Sequence, residues 1–155
     1  MIKVLLFDFS RVLIHPIDKT FTGSLNNLHK ELKDSENYYL FNYFELNNEI
    51  LDFLKTLKEE FDMRIFTTDL IQNDPLIKEK IDPIFSKIYS AKELGITKKV
   101  KNSYEFIAKD IGLQPEEILF IDDAESNIKA AFEAGFKIYH YKSNQGLLNY
   151  LGSLR

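Results

Sequence analysis

Short, unbroken apolar runs recur along this chain, and between them apolar residues fall at helical spacing. The runs Val4–Phe7, Met63–Phe66 and Ile118–Ile121 have strand length, and only Arg64 interrupts them. Runs without apolar–polar alternation suit strands of a parallel sheet covered on both faces. Lys87–Ser90 and Lys137–Tyr141 are shorter strand candidates. Helical spacing links Leu25, Leu28, His29 and Leu32, and then Leu46, Ile50, Leu51, Phe53, Leu54, Leu57 and Phe61. Asp74-Pro75 is a helix start leading into PLIKEKI. Val100, Tyr104, Ile107, Ala108 and Ile111 mark a further helix closed by Gly112, and Ile128, Ala131 and Phe132 another stopped by Gly135. Gly146–Leu151 is expected as a terminal helix. Strands thus alternate with helices from residue 46 onward, the pattern of βαβ units in an α/β fold.

Residues 15–45 stand outside that alternation. HPIDKTFTGS is polar and irregular, one short helix follows, Asp34–Asn37 breaks it, and the aromatic patch YYLFNYF occupies Tyr38–Phe44. The patch reads as core or packing surface before it reads as a partner surface. The segment is too small for a core of its own. It is expected to be a minimal cap or flap inserted in a single domain spanning 1–155.

Composition narrows the function classes. The chain has 155 residues, 45% of them hydrophobic and 28% charged, with a net charge of −4, and a pI near 5.4. This balance leaves no electrostatic footprint for nucleic acid or an anionic membrane. Without cysteine, thiolate catalysis, disulfides and Cys-ligated zinc are excluded. No apolar run approaches bilayer-spanning length, and Asp8 interrupts the first one too early for a signal peptide. A cytoplasmic location is the expectation, and oligomeric state stays open.

The chemistry gathers at the strand ends. Asp8 ends the first run, Thr67-Thr68 the second, and Asp122-Asp123 the third, while Lys98 lies in the loop after the strand candidate Lys87–Ser90. Parallel strands bring such ends to one edge of the sheet, where ligands bind in open α/β folds. Three carboxylates there repel one another unless a cation intervenes, and hard oxygen donors suit Mg²⁺ with substrate phosphate and water. A threonine hydroxyl and a lysine ammonium can hold an anion's oxygens. Together these form a phosphoryl-transfer kit with Asp8 as nucleophile. Taken singly, each residue has a plainer reading: Asp8 starts a turn, the threonines satisfy backbone groups, Asp122-Asp123 caps a helix, and Lys98 is one loop lysine beside Lys99 and Lys101. His15, His29 and His140 show no ligand spacing.

At these residues the chain resembles the haloacid dehalogenase-like (HAD) hydrolase superfamily. LLFDFSRVLI is similar to its first motif (D-x-D-G-T/V after an apolar strand), and RIFTTD to its second. Gly95-Ile96-Thr97-Lys98-Lys99 resembles the third with lysine in place of proline, and ILFIDDAESNI resembles the fourth. The resemblance covers the chain outside 15–45. It implies a three-layer, Rossmann-like, doubly wound, mainly parallel sheet with helices on both faces, and a small cap or flap. Carried over by position, it implies Asp8 as nucleophile and Mg²⁺ ligand, Thr67 at the phosphoryl oxygens with Thr68 beside it as a further substrate-binding candidate, and Lys98 steadying phosphate and nucleophile. It also implies Mg²⁺ ligation by Asp122, Asp123 and the backbone carbonyl of Ser10, with Asn127 in support.

Two departures matter. The family's second aspartate, which protonates the leaving group and then activates water, is replaced by Ser10, and the following glycine by Arg11. A serine hydroxyl gives up no proton readily near neutral pH, so general acid–base help worth about 10²–10⁴-fold is lost. Arg11 reads equally as a phosphate clamp or a surface residue. The resemblance therefore leads to a Mg²⁺-dependent phosphatase or phosphotransferase acting on a small phosphorylated substrate or a phosphoprotein. The alternative is an impaired HAD-fold module that binds a phosphorylated ligand or partner protein. A two-component receiver domain has the same residue types in another order, with its acidic pair after the first strand. A true haloacid dehalogenase fits poorly, because this chain retains the acidic pair of the Mg²⁺-dependent members.

Overall fold

The computed structural model describes residues 1–155. Five parallel strands form one sheet: β1 (Val4–Phe7), β4 (Asp62–Thr67), β5 (Lys87–Ser90), β6 (Ile118–Asp122) and β7 (Lys137–His140), in the spatial order β5-β4-β1-β6-β7. β1 is central because all four of its side chains are apolar and buried. It pairs with β4 through Phe7↔Ile65 and with β6 through Phe7↔Ile121. The chain builds outward from β1 first on one side and later on the other. That makes the end of β1 a topological switch point, where a crevice opens beyond the strands.

Alternate side chains of a strand face opposite ways, and here they feed two separate apolar layers. Leu5, Phe7, Ile65, Leu119 and Ile121 pack with the buried faces of α2 (Asn48–Lys55), α3 (Pro75–Ile81) and α7 (Asn144–Gly152). Val4, Leu6, Phe66, Ile118 and Phe120 pack with α5 (Lys101–Ile111) and α6 (Glu125–Glu133). The result is the three-layer, doubly wound α/β architecture. Arg64 survives in the sheet because its Nε donates to Asp62 at 2.7 Å and a terminal nitrogen to the Tyr89 hydroxyl at 2.9 Å.

Three local features differ from the sequence expectation. First, β2 (Ile14–Pro16) and β3 (Phe44–Leu46) pair antiparallel through Ile14↔Leu46, so Leu46 belongs to a strand and not to the following helix. Second, α2 stops at Lys55, and the segment to Phe61 is a series of tight turns with Leu57 N donating to Leu54 O and Glu60 N to Leu57 O. Leu57 and Phe61 are buried all the same. The helical spacing had reported which residues are covered, and turns can cover them as well as a helix. Third, Glu93-Leu94-Gly95, which the sequence places in a loop, closes one helical turn, α4 (Ala91–Leu94), capped by the Ser90 hydroxyl and ended by Gly95 at φ 66°.

Between β2 and β3 lies α1 (Leu25–Leu32), opened by Ser24, whose hydroxyl accepts from Asn27 N. Leu25, Leu40 and Phe44 are buried in the same apolar layer as Leu5 and Phe7, so this segment shares the core of the sheet. Tyr39 and Tyr43 of the aromatic patch remain exposed.

Candidate active site

Beyond β1 the backbone turns sharply. Asp8 N donates to Ile121 O at 2.8 Å, which holds Asp8 in line with the strand. The amides of Val12, Leu13 and Ile14 then converge on Phe9 O, and Arg11 adopts a left-handed φ of 65°. That conformation favours glycine and costs an arginine about 1 kcal/mol or more. The tightness of the turn leaves Asp8 at the base of a crevice of about 230 Å³ that is also lined by Ser10, Arg11, Asn26, Thr68, Lys98, Asp122 and Asp123.

Lys98 is the centre of the charged cluster. Its Nζ lies 2.6 Å from Asp8 Oδ1 and 2.8 Å from Asp122 Oδ2, and its side chain is 4% exposed. The rings of Phe66 and Phe120 lie 5.5 and 5.6 Å from the same ammonium, within cation–π range. The loop carrying it is fixed from below, where the buried Tyr104 hydroxyl donates to Lys98 O at 2.7 Å. Lys99 is exposed, which separates it from its neighbour. Asp122 is fully buried and well supplied with donors: Ala124 N at 2.8 Å, Asn127 Nδ2 at 3.0 Å and Lys98.

Oxygens of Asp8, Asp122 and Asp123 lie within 4.8 Å of one another. Burial, aided by the charges of Asp122 and Asp123 and opposed by Lys98, holds Asp8 well above the usual carboxylate range. Burial and Asp122 push Asp123 up as well. Burial alone would lower the Lys98 ammonium, but Asp8 and Asp122 outweigh it and its pKa is raised. Burial is the largest cause for the two carboxylates, their mutual charges add to it, and the same charges raise Lys98 against its burial, so all three groups are held toward their protonated forms. A hard divalent cation such as Mg²⁺ fits this all-oxygen donor set and would supply positive charge.

The structure also corrects the placement of Thr67, expected at the phosphoryl oxygens. Thr68 lines the crevice, whereas Thr67 is buried at the end of β4, does not line it, and has a hydroxyl without a hydrogen-bond partner. Arg11 lines the crevice but turns its guanidinium onto backbone, donating to Phe21 O at 3.1 Å and Gly23 O at 2.8 Å. Ser10 is half-buried, and its Oγ accepts from Asn26 Nδ2 at 3.4 Å. Asn26 had no signal in the sequence. It is a polar position on α1 whose Oδ1 also accepts from Ile71 N at 3.1 Å, so it bridges the turns after β1 and β4. Tyr104 was legible only as an apolar helix position.

The description "haloacid dehalogenase-like hydrolase" applies to the family model that matches residues 3–135. The chain belongs to that family. A protein of Aquifex aeolicus named enolase-phosphatase E1 is 51% identical over 55 residues, which are 36% of this chain and 24% of that protein. D-ribitol-5-phosphate phosphatase of Bacteroides thetaiotaomicron is 40% identical over 53 residues, 34% of this chain and 26% of that one. These matches span about a quarter of the curated relatives. A HAD family enzyme of Bacteroides thetaiotaomicron, crystallised with magnesium and inorganic phosphate, superposes with a TM-score of 0.66 at 19% identity over 93% of this chain and 96% of that one. A HAD-like family hydrolase of Porphyromonas gingivalis gives 0.70 at 20% identity over 99% and 98%. At these identities the likeness is one of fold.

Proposed function

We propose that the chain is a Mg²⁺-dependent phosphohydrolase that carries the phosphoryl group on Asp8 and acts on small phosphate monoesters. The observation that carries this reading is Asp8 at the switch point, pinned by Lys98 at 2.6 Å and facing Asp122 and Asp123. The names of the two partial relatives, an enolase-phosphatase and a ribitol-phosphate phosphatase, support a small phosphorylated substrate.

Asp8, Asp122, Asp123 and the Ser10 carbonyl would hold Mg²⁺, which when bound neutralises charge on carboxylate and phosphoryl oxygens. Lys98 fixes the orientation of Asp8 through Oδ1 and leaves Oδ2 to attack phosphorus, forming an acyl phosphate as the P–O bond to the leaving group breaks. The Lys98 ammonium and the Thr68 hydroxyl, both on the crevice wall, would stabilise charge on the phosphoryl oxygens. Asn127 and Ala124 N hold Asp122, so its carboxylate keeps one orientation. Water then attacks phosphorus and regenerates Asp8. Both steps lack a carboxyl group at position 10, because the Ser10 hydroxyl neither protonates a departing alkoxide nor deprotonates water readily at neutral pH.

A phosphate-binding module of low turnover is the second reading, favoured by Ser10 and by its engagement with Asn26. One experiment separates them: an aryl and alkyl phosphate panel with and without Mg²⁺, paired with trapping of the acyl phosphate. Mg²⁺-dependent release with label on Asp8 supports the hydrolase. Phosphate binding without label or release supports the module.

A further inference from the structure

We infer that the substrate carries a second anionic group, held by Lys30, Lys92 and Lys99 in a cavity that opens from the side of the Asp8 crevice. This rests on the phosphohydrolase reading and names the substrate class of the same site. The cavity has a volume of about 530 Å³ and shares Thr68, Lys98, Ala124 and Asn127 with the crevice that holds Asp8. A molecule with its phosphoryl group between Lys98 and Thr68 has this space beside it.

The charge of the cavity is unusual for this chain. Three ammonium groups other than Lys98 line it, against the single carboxylate of Asp69, although the whole chain carries a net charge of −4. They come from three places in the fold: Lys30 from α1, Lys92 from α4 and Lys99 from the loop after it. Asp69 gathers two of them, with Lys30 Nζ at 2.5 Å and Lys92 Nζ at 3.6 Å, and its side chain is only 13% exposed. The lysines themselves are 40% and 53% exposed, so their heads remain available at the cavity wall. Lys99 forms no ion pair with the chain's own carboxylates: every ion pair in the structure uses another cation.

One carboxylate cannot neutralise three ammonium groups, and a net positive pocket attracts an anion. The N-terminal turn of α6, at Ser126 and Asn127, lines the same cavity and adds the positive end of a helix dipole. The volume suits a small molecule. The acidic surface elsewhere disfavours a polyanion such as nucleic acid, which would meet repulsion outside the pocket. A carboxylate or a second phosphate meets the same ammonium groups with the same sign.

Binding of non-hydrolysable phosphonates tests this independently of turnover. Propylphosphonate, 2-carboxyethylphosphonate and 1,3-propanediphosphonate have nearly the same length and differ in the distal group. Calorimetry with Mg²⁺ present should show at least one distal anion binding about 5- to 10-fold more tightly than the methyl-ended compound, by the weight of a charge-assisted contact. The advantage should shrink as salt is raised. It should also be lost in Lys92→Gln and in Lys99→Gln, the second of which disturbs no ion pair. Equal binding of all three phosphonates overturns the inference and leaves the phosphoryl site standing. A preference that persists in both variants overturns it as well. If none of the three binds, the phosphohydrolase reading falls and takes the inference with it.

Discussion

Asn26 Nδ2 donates to Ser10 Oγ at 3.4 Å while its Oδ1 accepts from Ile71 N at 3.1 Å. The amide is therefore fixed at both ends, and position 10 receives a hydrogen bond where a hydrolase of this design needs an acid. Ser10→Asp should restore proton transfer and raise steady-state turnover by about 10-fold or more. The gain should be larger for alkyl than for aryl phosphates, since an alkoxide is the stronger base. Flat turnover in a variant that folds and binds Mg²⁺ normally would show that the missing acid does not limit the rate.

Asp8→Asn should abolish turnover and yet stabilise the metal-free protein. Asp8 is held above its ordinary value in the fold, so the native state binds more protons than the unfolded chain. Its stabilising contribution is complete below the ordinary value of 3.8 and is lost as pH rises through the raised value. Asparagine removes that loss. The variant's melting temperature should exceed the wild type's by about 2–4 °C per kcal/mol regained, and the gap should widen from pH 4 to pH 7. A gap that narrows over this range would mean that the ion pair with Lys98 outweighs burial and the neighbouring carboxylates.

Replacing both Asp122 and Asp123 by Asn should abolish Mg²⁺ binding in calorimetry. In the wild type, raised carboxylates must give up protons when the cation enters. Affinity should therefore fall as pH falls, and the apparent binding enthalpy should depend on the buffer's ionisation enthalpy. Identical enthalpies in two such buffers would contradict the proton release.

Lys98→Met should be among the most destabilising single changes in the chain. It leaves Asp8 and Asp122 buried without their shared cation, a loss of about 3–5 kcal/mol for a broken buried pair. Urea denaturation measures it. Full recovery of stability at low pH, where the carboxylates protonate, would locate the cost in their charge.

Arg11→Gly tests the tie between the turn after β1 and the segment at Phe21–Gly23. Glycine suits the φ of 65° but removes the donors to Phe21 O and Gly23 O. Hydrogen exchange of residues 18–24 should accelerate while that of β1 stays slow. Unchanged exchange across the segment would assign the tie to other contacts.

The strands and most helices were legible because burial on two faces and helical spacing both write themselves into apolar positions. Asp8, Lys98, Asp122 and Asp123 stood out as an ordered set, because parallel strands bring their positions to one sheet edge although each residue alone has a plainer use. What the sequence could not show depends on the path of the backbone. Two adjacent threonines look alike until β4 closes over Thr67 and leaves Thr68 on the crevice. Arg11 has the chemistry of a phosphate clamp until its guanidinium is seen on two carbonyls. The β2–β3 pair was hidden because Ile14 and Leu46 lie far apart in the chain with α1 between them, where no local pattern links them.

The register of β1 sets an order of events during synthesis. β1 emerges early, gains β4 as a neighbour through Val4↔Asp62, and meets β6 only when Ile118 can reach Val4. Asp122 and Asp123 arrive with that last pairing. A nascent chain stopped before β6 thus presents one bare edge of its central strand and an Asp8–Lys98 couple without the acidic pair. Such a chain is exposed to edge-to-edge association, and its Asp8 waits for the carboxylates it faces in the finished sheet.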